Sequence, residues 1–375
     1  MTQIVQRKIV VDDAVPYAKS IFASLGDVVT RPGRDIQRED LLNADALIIR
    51  SRTQVNNALL ADTTVKFVGS TVVGLDHIDQ NYLQDNNIHF YSAQGCNANS
   101  VAEFVIHALV LLAEEQGFDL SQKTLGIIGV GHVGSRLEKK AKALGMRCLL
   151  NDPPRARQEN PNAFSSLEET LQADIISVHT PLTFDGRDKT HLLIGKAQLA
   201  SLSSEQILVN AARGGIVDEN ELKNTQLAAK IIDCWENEPN IDQELLQQSF
   251  LATPHIAGHS FEAKLAGSTM VYENLCRFWS EKIDDNWQAE LPSPPDPIEV
   301  VNSDHWQSGL LEVLQKTHLI KNDDAAIREN SDQFERYRRN YPIHREWYIH
   351  GVKKTKNQKL NLILETLGFD LMPLL

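Results

Sequence analysis

Leu125-Gly126-Ile127-Ile128-Gly129-Val130-Gly131-His132-Val133-Gly134 is the stretch on which the reading of this chain turns. An apolar strand runs into G-x-G-x-x-G, and a helix-forming stretch follows as far as Gly145. Each glycine has its own physical task. Gly129 permits the tight turn, Gly131 lets main chain approach a pyrophosphate, and Gly134 lets the helix pack on the strand. The helix start adds free N–H groups and a partial positive charge. Gly129, Gly131, His132, Val133 and Gly134 are therefore candidate dinucleotide-binding residues. The next strand ends in Asn151-Asp152-Pro153-Pro154, with Asp152 18 residues past Gly134. A carboxylate there suits an adenosine ribose diol and repels a 2′-phosphate, so the expected cofactor is NAD. Arg155 is a nearby cation that would suit NADP instead, and a tight turn without any dinucleotide is the bland alternative.

The alternation continues outward from this loop. Downstream, Arg147–Leu150, Asp174–Val178, Ile207–Asn210 and Ile231–Asp233 read as strands. Ser166-Leu167-Glu168-Glu169 and Asp218-Glu219-Asn220-Glu221 read as capping boxes. This is a doubly wound pattern. Upstream, Ser100–Glu115 is a long apolar helix. The first 95 or so residues hold a second series of short strands, at Lys8–Val11, Ala46–Ile49, Phe67–Val68 and Ile88–Tyr91, with a helix over Val15–Leu25. A long helix is expected from Phe261 to about Lys282. Then Pro292-Ser293-Pro294-Pro295-Asp296-Pro297 breaks regular structure and leads into a further unit. That unit contains a charged helical stretch, Asp332–Asn340, and the aromatic segment Arg345-Glu346-Trp347-Tyr348.

Composition narrows the functional classes. The chain has 375 residues, 42% of them hydrophobic and 23% charged, as in globular proteins of two or three domains. A net charge of −13 disfavours nucleic acid as a partner and makes local arginines the place for an anionic substrate. No apolar run reaches membrane-spanning length, and Met1–Val11 lacks the apolar stretch of a signal peptide. Four scattered cysteines, Cys96, Cys148, Cys234 and Cys276, fit a reducing cytoplasm, with no C-x-x-C pair and no zinc-ligand spacing. No metal is expected.

Three residues downstream of the glycine loop stand at the ends of apolar runs. Arg213 precedes Gly214-Gly215, Glu238 precedes Pro239, and His255 lies in Thr253-Pro254-His255-Ile256-Ala257-Gly258. Each alone reads as an ordinary turn arginine, solvated acid or structural histidine. Together they form a hydride-transfer set. A histidine takes a hydroxyl proton, a carboxylate fixes its tautomer and stabilises the imidazolium, and an arginine fork holds a carboxylate and polarises the new carbonyl.

With the glycine loop, Asn210-Ala211-Ala212-Arg213-Gly214-Gly215-Ile216-Val217-Asp218 and the stretch from Asp233 to Pro239, this set resembles the D-2-hydroxyacid dehydrogenase family over about residues 45–280. The resemblance implies that Arg213, Glu238 and His255 are catalytic. It places Thr180, Ala211, Ala212, Asp233 and Gly258 against the cofactor beside Asp152. It also implies an α/β architecture in which a Rossmann-type NAD domain (97–258) is inserted in a flavodoxin-like substrate domain (1–96 and 259–285). A C-terminal α+β dimerisation domain (286–375) follows.

Longer stretches resemble one branch of the family. They include Ile49-Arg50-Ser51-Arg52-Thr53, Phe67-Val68-Gly69-Ser70-Thr71-Val72-Val73-Gly74, Gly95-Cys96-Asn97-Ala98, Arg338-Arg339-Asn340-Tyr341 and Arg345-Glu346-Trp347. The implied reaction is NAD-dependent oxidation of a phosphorylated 2-hydroxy acid, 4-phospho-D-erythronate, to (R)-3-hydroxy-2-oxo-4-phosphooxybutanoate. It belongs to pyridoxal 5′-phosphate (vitamin B6) synthesis, and the enzyme is expected to be a cytoplasmic homodimer. Ser51 is implied to bind substrate, with Arg50 and Arg52 as candidates for its phosphate. Two positions depart from the branch. Val72 stands where threonine is usual, with Ser70, Thr71 or backbone N–H groups as substitutes, and His259 stands where tyrosine is usual. The basic run Arg336, Arg338, Arg339 and Arg345 is a candidate to reach a neighbouring subunit's site. Dehydrogenation of 3-phosphoglycerate or glycerate, and a non-catalytic NAD-sensing scaffold, remain the alternatives.

Overall fold

The computed structural model describes residues 7–373, so the first six residues of the Met1–Val11 expectation lie outside it. The chain forms two compact units. One runs up to Asn97 and is completed by Phe261–Ser293; the other joins Ala98–Ser260 to the chain from Pro294 onward.

In the first unit, five parallel strands pair in the order β2-β1-β3-β4-β5. They are β1 (Lys8–Asp12), β2 (Asp27–Arg31), β3 (Ala46–Ile49), β4 (Phe67–Ser70) and β5 (His89–Ser92). This is the flavodoxin order. β3 and β4 are buried along their whole length, as parallel strands covered on both faces must be. One cover is the returning helix Phe261–Trp279, whose Val271, Tyr272 and Leu275 pack with Ile9, Ile48 and Phe67. A Cβ at Gly69 would meet Val271 at 2.4 Å, so glycine is what lets the helix lie this close. β2 is absent from the sequence reading because it is a half-exposed edge strand with no clean apolar signal. The expected helix over Val15–Leu25 is shorter, Ala18–Phe22 with a 3₁₀ turn to Leu25.

The second unit holds six parallel strands ordered β11-β10-β9-β8-β6-β7. They are β6 (Thr124–Ile128), β7 (Arg147–Asn151), β8 (Ile175–Val178), β9 (Ile207–Asn210), β10 (Ala229–Ile232) and β11 (Leu251–Ala252). The expected box at Ser166 forms with both reciprocal bonds, and Asp218 caps its helix by accepting from Asn220 and Glu221. β11 escapes the sequence reading because it is two residues long.

The helix Ala98–Gln116 explains where the C-terminal chain goes. Fifteen of its nineteen residues are buried, so it needs partners all round. The helix His132–Ala143 packs on it, and so does Trp306–Thr317, with Trp306, Leu310, Val313 and Leu314 in the same core. The stretch expected as a third unit from residue 286 therefore divides. Its first residues group with the first unit, and from Pro294 it shares a core with the glycine-loop sheet. This stretch is α+β, with β12 (Gly351–Lys353) and β13 (Asp370–Met372) paired in parallel around the helix Gln358–Leu367.

Candidate functional site

In an open parallel sheet, ligands bind beyond the carboxyl ends of the strands, where the strand order reverses. The first unit reverses between β1 and β3, the second between β6 and β8. Both points carry residues singled out by the sequence.

At the first point, Arg50 follows β3 and donates to the Ala14 carbonyl at 2.8 Å. Ser51 is exposed in the turn beyond it, and Arg52 is partly buried. The carbonyl of Val72 accepts from the hydroxyls of Ser70 (3.2 Å) and Ser92 (3.0 Å), while Thr71 donates to Ile49 at 3.3 Å. These hydroxyls secure the loop from inside. Lys264, in the first turn of the helix Phe261–Trp279, was not anticipated. Burial, with the Arg50 charge beside it, brings its amine down to about 8. Sequence showed only a lysine near a helix start; the crowding of cations needs the fold.

At the second point the glycine loop meets β8. A Cβ on Gly129 would lie 2.7 Å from the Thr180 nitrogen, and one on Gly134 would lie 2.2 Å from the Gly129 carbonyl oxygen. Gly131 instead has open space where a Cβ would stand. His132 and Val133 open the helix His132–Ala143. The Thr180 hydroxyl is buried with no hydrogen-bond partner among the described residues. A tight turn, an open cradle and an orphaned hydroxyl fit a dinucleotide. Asp152 accepts from the Val130 N–H at 2.9 Å and caps the following helix through the Arg155 N–H at 3.0 Å. Each oxygen retains a lone pair for a ribose hydroxyl. The Arg155 side chain binds Glu159 and the Val130 carbonyl, which ties it to the loop rather than leaving it for a 2′-phosphate.

Further along the strand ends, the three reactive types converge. Asn210 donates to the carbonyls of Arg213 (3.1 Å) and Cys234 (3.2 Å), stitching the ends of β9 and β10 together. A Cβ at Gly214 would lie 2.0 Å from the Trp235 carbonyl oxygen, so only glycine brings Arg213 this close to the Glu238 segment. Ala211 and Ala212 are buried, and Arg213 is partly exposed, donating to the Ala212 carbonyl at 2.7 Å. His255 Nδ1 lies 3.0 and 2.9 Å from the two Glu238 oxygens. Burial alone raises the Glu238 carboxyl. The His255 charge and hydrogen bond, the Trp235 N–H and the Arg338 charge outweigh it and hold the group below the ordinary glutamate value. An ionised Glu238 accepts, so Nδ1 is the protonated nitrogen, and in the neutral imidazole the lone pair is on Nε2.

Asp233, expected against the cofactor, is 1% exposed. Its carboxylate accepts from the Thr253 hydroxyl (2.7 Å) and from the N–H groups of Ile256 (2.7 Å) and Ala257 (3.1 Å). It braces the loop that carries His255. Burial pushes this carboxyl up against those bonds and the His255 charge. Gly258 and His259 complete the loop, and the His259 ring meets Tyr341 edge-on at 5.7 Å.

The fold also creates a ligand set that linear spacing could not reveal. Ligand atoms of Cys234, Glu238 and His255 lie within 4.8 Å of one another, close enough to hold a metal ion. Burial and the nearby Asp233 and Glu238 charges push the Cys234 thiol well up, so it is neutral, and Glu238 and His255 already satisfy each other. Of the basic run, Arg338 donates to the His255 carbonyl at 3.2 Å, and Arg345 lines an internal cavity with Glu103, His318 and His344. Arg336 and Arg339 are exposed.

Comparison with known proteins bears on the same residues. Residues 107–257 match the family model of the D-isomer specific 2-hydroxyacid dehydrogenase NAD binding domain. The chain is 57% identical over 371 residues to the erythronate-4-phosphate dehydrogenase of Hydrogenovibrio crunogenus, covering 98% of this chain and 99% of that one. It is 42% identical to the Proteus mirabilis erythronate-4-phosphate dehydrogenase, covering 97% and 99%. Among solved structures, NAD⁺-bound 3-phosphoglycerate dehydrogenase of Entamoeba histolytica superposes with a TM-score of 0.62 at 26% identity, covering 75% of this chain and 99% of that one.

Proposed function

The chain belongs to the erythronate-4-phosphate dehydrogenase family, and on that footing we propose that its three strand-end residues carry out the oxidation of 4-phospho-D-erythronate. The enzyme is an NAD-dependent dehydrogenase, and its product is (R)-3-hydroxy-2-oxo-4-phosphooxybutanoate, an intermediate toward pyridoxal 5′-phosphate. The observation that carries the residue assignment is the Glu238–His255 pair, with the Nδ1 side of the ring engaged and Nε2 left for substrate.

His255 Nε2 takes the C2 hydroxyl proton as the carbonyl forms, and Glu238 stabilises the resulting imidazolium. The Arg213 guanidinium receives the substrate carboxylate through its planar fork and polarises the C2 oxygen. NAD, held by the glycine loop, Asp152 and Thr180, supplies the hydride acceptor. Ala211, Ala212 and Gly258 line the path of the cofactor, and Asp233 keeps the His255 loop in register with it. Arg50, Arg52 and Lys264, with the Ser51 hydroxyl and the N–H groups near Val72, are the groups suited to a phosphate. His259, in the loop after His255, is a further candidate for substrate.

Among the described residues, no helix is long and apolar enough to cross a membrane. We place the enzyme in the cytoplasm, as its free cysteines suggest. We further propose a homodimer through the C-terminal chain. Val301, Leu319, Ile343, Tyr348, Leu362 and Met372 are exposed there, more than half of the large apolar side chains exposed among the described residues. Light scattering that returns a monomer at micromolar concentration would remove that proposal.

The direct test is NADH formation, followed at 340 nm, with 4-phospho-D-erythronate beside 3-phosphoglycerate, glycerate and lactate. Single-turnover amounts of enzyme allow for NADH that stays bound. Preference for phosphoerythronate is expected. Preference for another acid would keep the fold and the three residues and change the substrate, and no reduction with any of them would favour a scaffold.

A further inference from the structure

The loop that carries His255 is held from a direction the reaction itself does not explain. Its main chain is in the left-handed region at His255, with φ 54°. A residue with a Cβ occupies that region only when its surroundings hold it there. Asp233 holds the next two N–H groups, but a carboxylate cannot hold the His255 carbonyl. That carbonyl accepts from Nε of Arg338, 83 positions along the chain, at 3.2 Å.

Arg338 is itself brought there by a chain of specific contacts within the second unit. Asp324 accepts from the N–H of Ala252 at 2.7 Å, immediately before the loop. Arg328 donates to the carbonyls of Leu246 and Ser249, each at 2.7 Å, so the helix Ile320–Glu329 is tied to the chain entering β11. Phe334, 1% exposed, packs in one core with Ile232 and Leu246 and fixes the start of the helix Phe334–Arg339. The Arg338 guanidinium lies over the Phe334 ring at 5.8 Å and reaches the His255 carbonyl from there. At the far end of the loop, Glu346 accepts from the Ser260 hydroxyl at 2.8 Å. The C-terminal chain thus grips the loop at both His255 and Ser260. Phe334 already anchors the helix, so a packing role does not require a charged fork at 338. What the guanidinium adds is the Nε–H that reaches the main-chain oxygen of His255.

We propose that Arg338 is a positioning residue for the reaction. By donating to the His255 carbonyl it sets the peptide plane, and so the direction in which the imidazole presents Nδ1 to Glu238 and Nε2 to substrate. This rests on His255 being the base. A base a fraction of an ångström out of place loses rate without losing ligand affinity.

The test compares Arg338→Met, which keeps the apolar stem and removes the donors, with Arg338→Lys, which keeps the charge. For Arg338→Met, kcat should fall about 10- to 100-fold while KM for the acid and Kd for NAD move less than about threefold. Arg338→Lys should recover part of that loss. Hydrogen exchange by mass spectrometry should show residues 253–259 exchanging faster in Arg338→Met, with the rest of the second unit as in the parent. An unchanged kcat overturns the proposal. So does a parallel loss of kcat, NAD binding and thermal stability with no recovery in Arg338→Lys, which is the signature of a structural role alone. If Arg338→Met does not fold, Arg338→Gln is read by the same two measurements. If the parent enzyme oxidises no 2-hydroxy acid, the dehydrogenase reading fails by itself, and the exchange experiment still decides whether Arg338 holds the loop.

Discussion

Two histidine–carboxylate pairs lie in the second unit at nearly the same spacing. His255 and Glu238 meet at 2.9 Å, His318 and Asp323 at 2.7 Å. Distance does not separate them; their surroundings do. The side chains of the first pair are 26% and 21% exposed, those of the second 17% and 4%. Glu238 takes its side-chain bond from one ring nitrogen, Nδ1, and the other is left for chemistry. His318 uses Nε2, and Asp323 also accepts from the hydroxyls of Tyr337 (2.6 Å) and Tyr341 (2.9 Å). Burial and that carboxylate push both tyrosine hydroxyls up, which makes them firm donors. The first pair has the arrangement that the proposed proton transfer requires. The other is a closed network that locks the C-terminal chain, since a satisfied buried network specifies one packing.

The sharpest way to break this comparison is to truncate each histidine. His255→Ala should lower kcat/KM by about 10²- to 10⁴-fold while NAD affinity and melting temperature stay near those of the parent. A variant with full turnover would refute the base assignment. Arg213→Lys keeps the charge and loses the fork, and should cost about 10²- to 10³-fold in kcat/KM, read in the same assay. A rate near that of the parent would move the carboxylate elsewhere. His318→Ala should act on the other axis. It leaves Asp323 short of a donor and should cost about 1–3 kcal/mol of stability by denaturant unfolding, with a far smaller effect on kcat than His255→Ala. Comparable kinetic losses in the two alanine variants would erase the distinction. The smallest effect is expected at Lys264. Burial and then the Arg50 charge lower its amine to about 8, so it is charged below that pH and neutral above it. If it holds the phosphate, kcat/KM for phosphoerythronate should fall as pH rises through about 8. Lys264→Met should lose this limb and about tenfold in kcat/KM at pH 7, roughly 1.4 kcal/mol. An unchanged alkaline limb would free the phosphate from Lys264.

Much of the site was legible before folding because its parts are local. Gly129, Gly131 and Gly134 are required by a turn, a cradle and a helix–strand contact within six residues, and each shows its reason in the structure. Glu238 and His255 stand at strand ends, where doubly wound sheets place function, and they meet. Other parts were not legible. That Asp233 also braces the His255 loop was one of them, because which way a strand-end carboxylate turns depends on N–H groups more than twenty positions away. Lys264 is an ordinary helix cation in sequence, and Arg338 stands out there only as a member of a basic run. They gain meaning only from Arg50 in one case and a left-handed carbonyl in the other.

Sequence by itself determined the two parallel sheets, the NAD loop and the types of the reacting groups. Those follow from apolar periodicity, from backbone freedom at glycine and from side-chain chemistry, all readable over a few residues. Tertiary structure alone decided where the C-terminal chain belongs. The helix Ala98–Gln116 is largely apolar and buried at fifteen of its nineteen residues, so it must be covered, but composition cannot say by what. The cover is the chain after Pro294, through Trp306, Leu310 and Leu314. Hydrophobic burial has no direction, so only the assembled core could choose the partner, and with it the arginine that reaches His255.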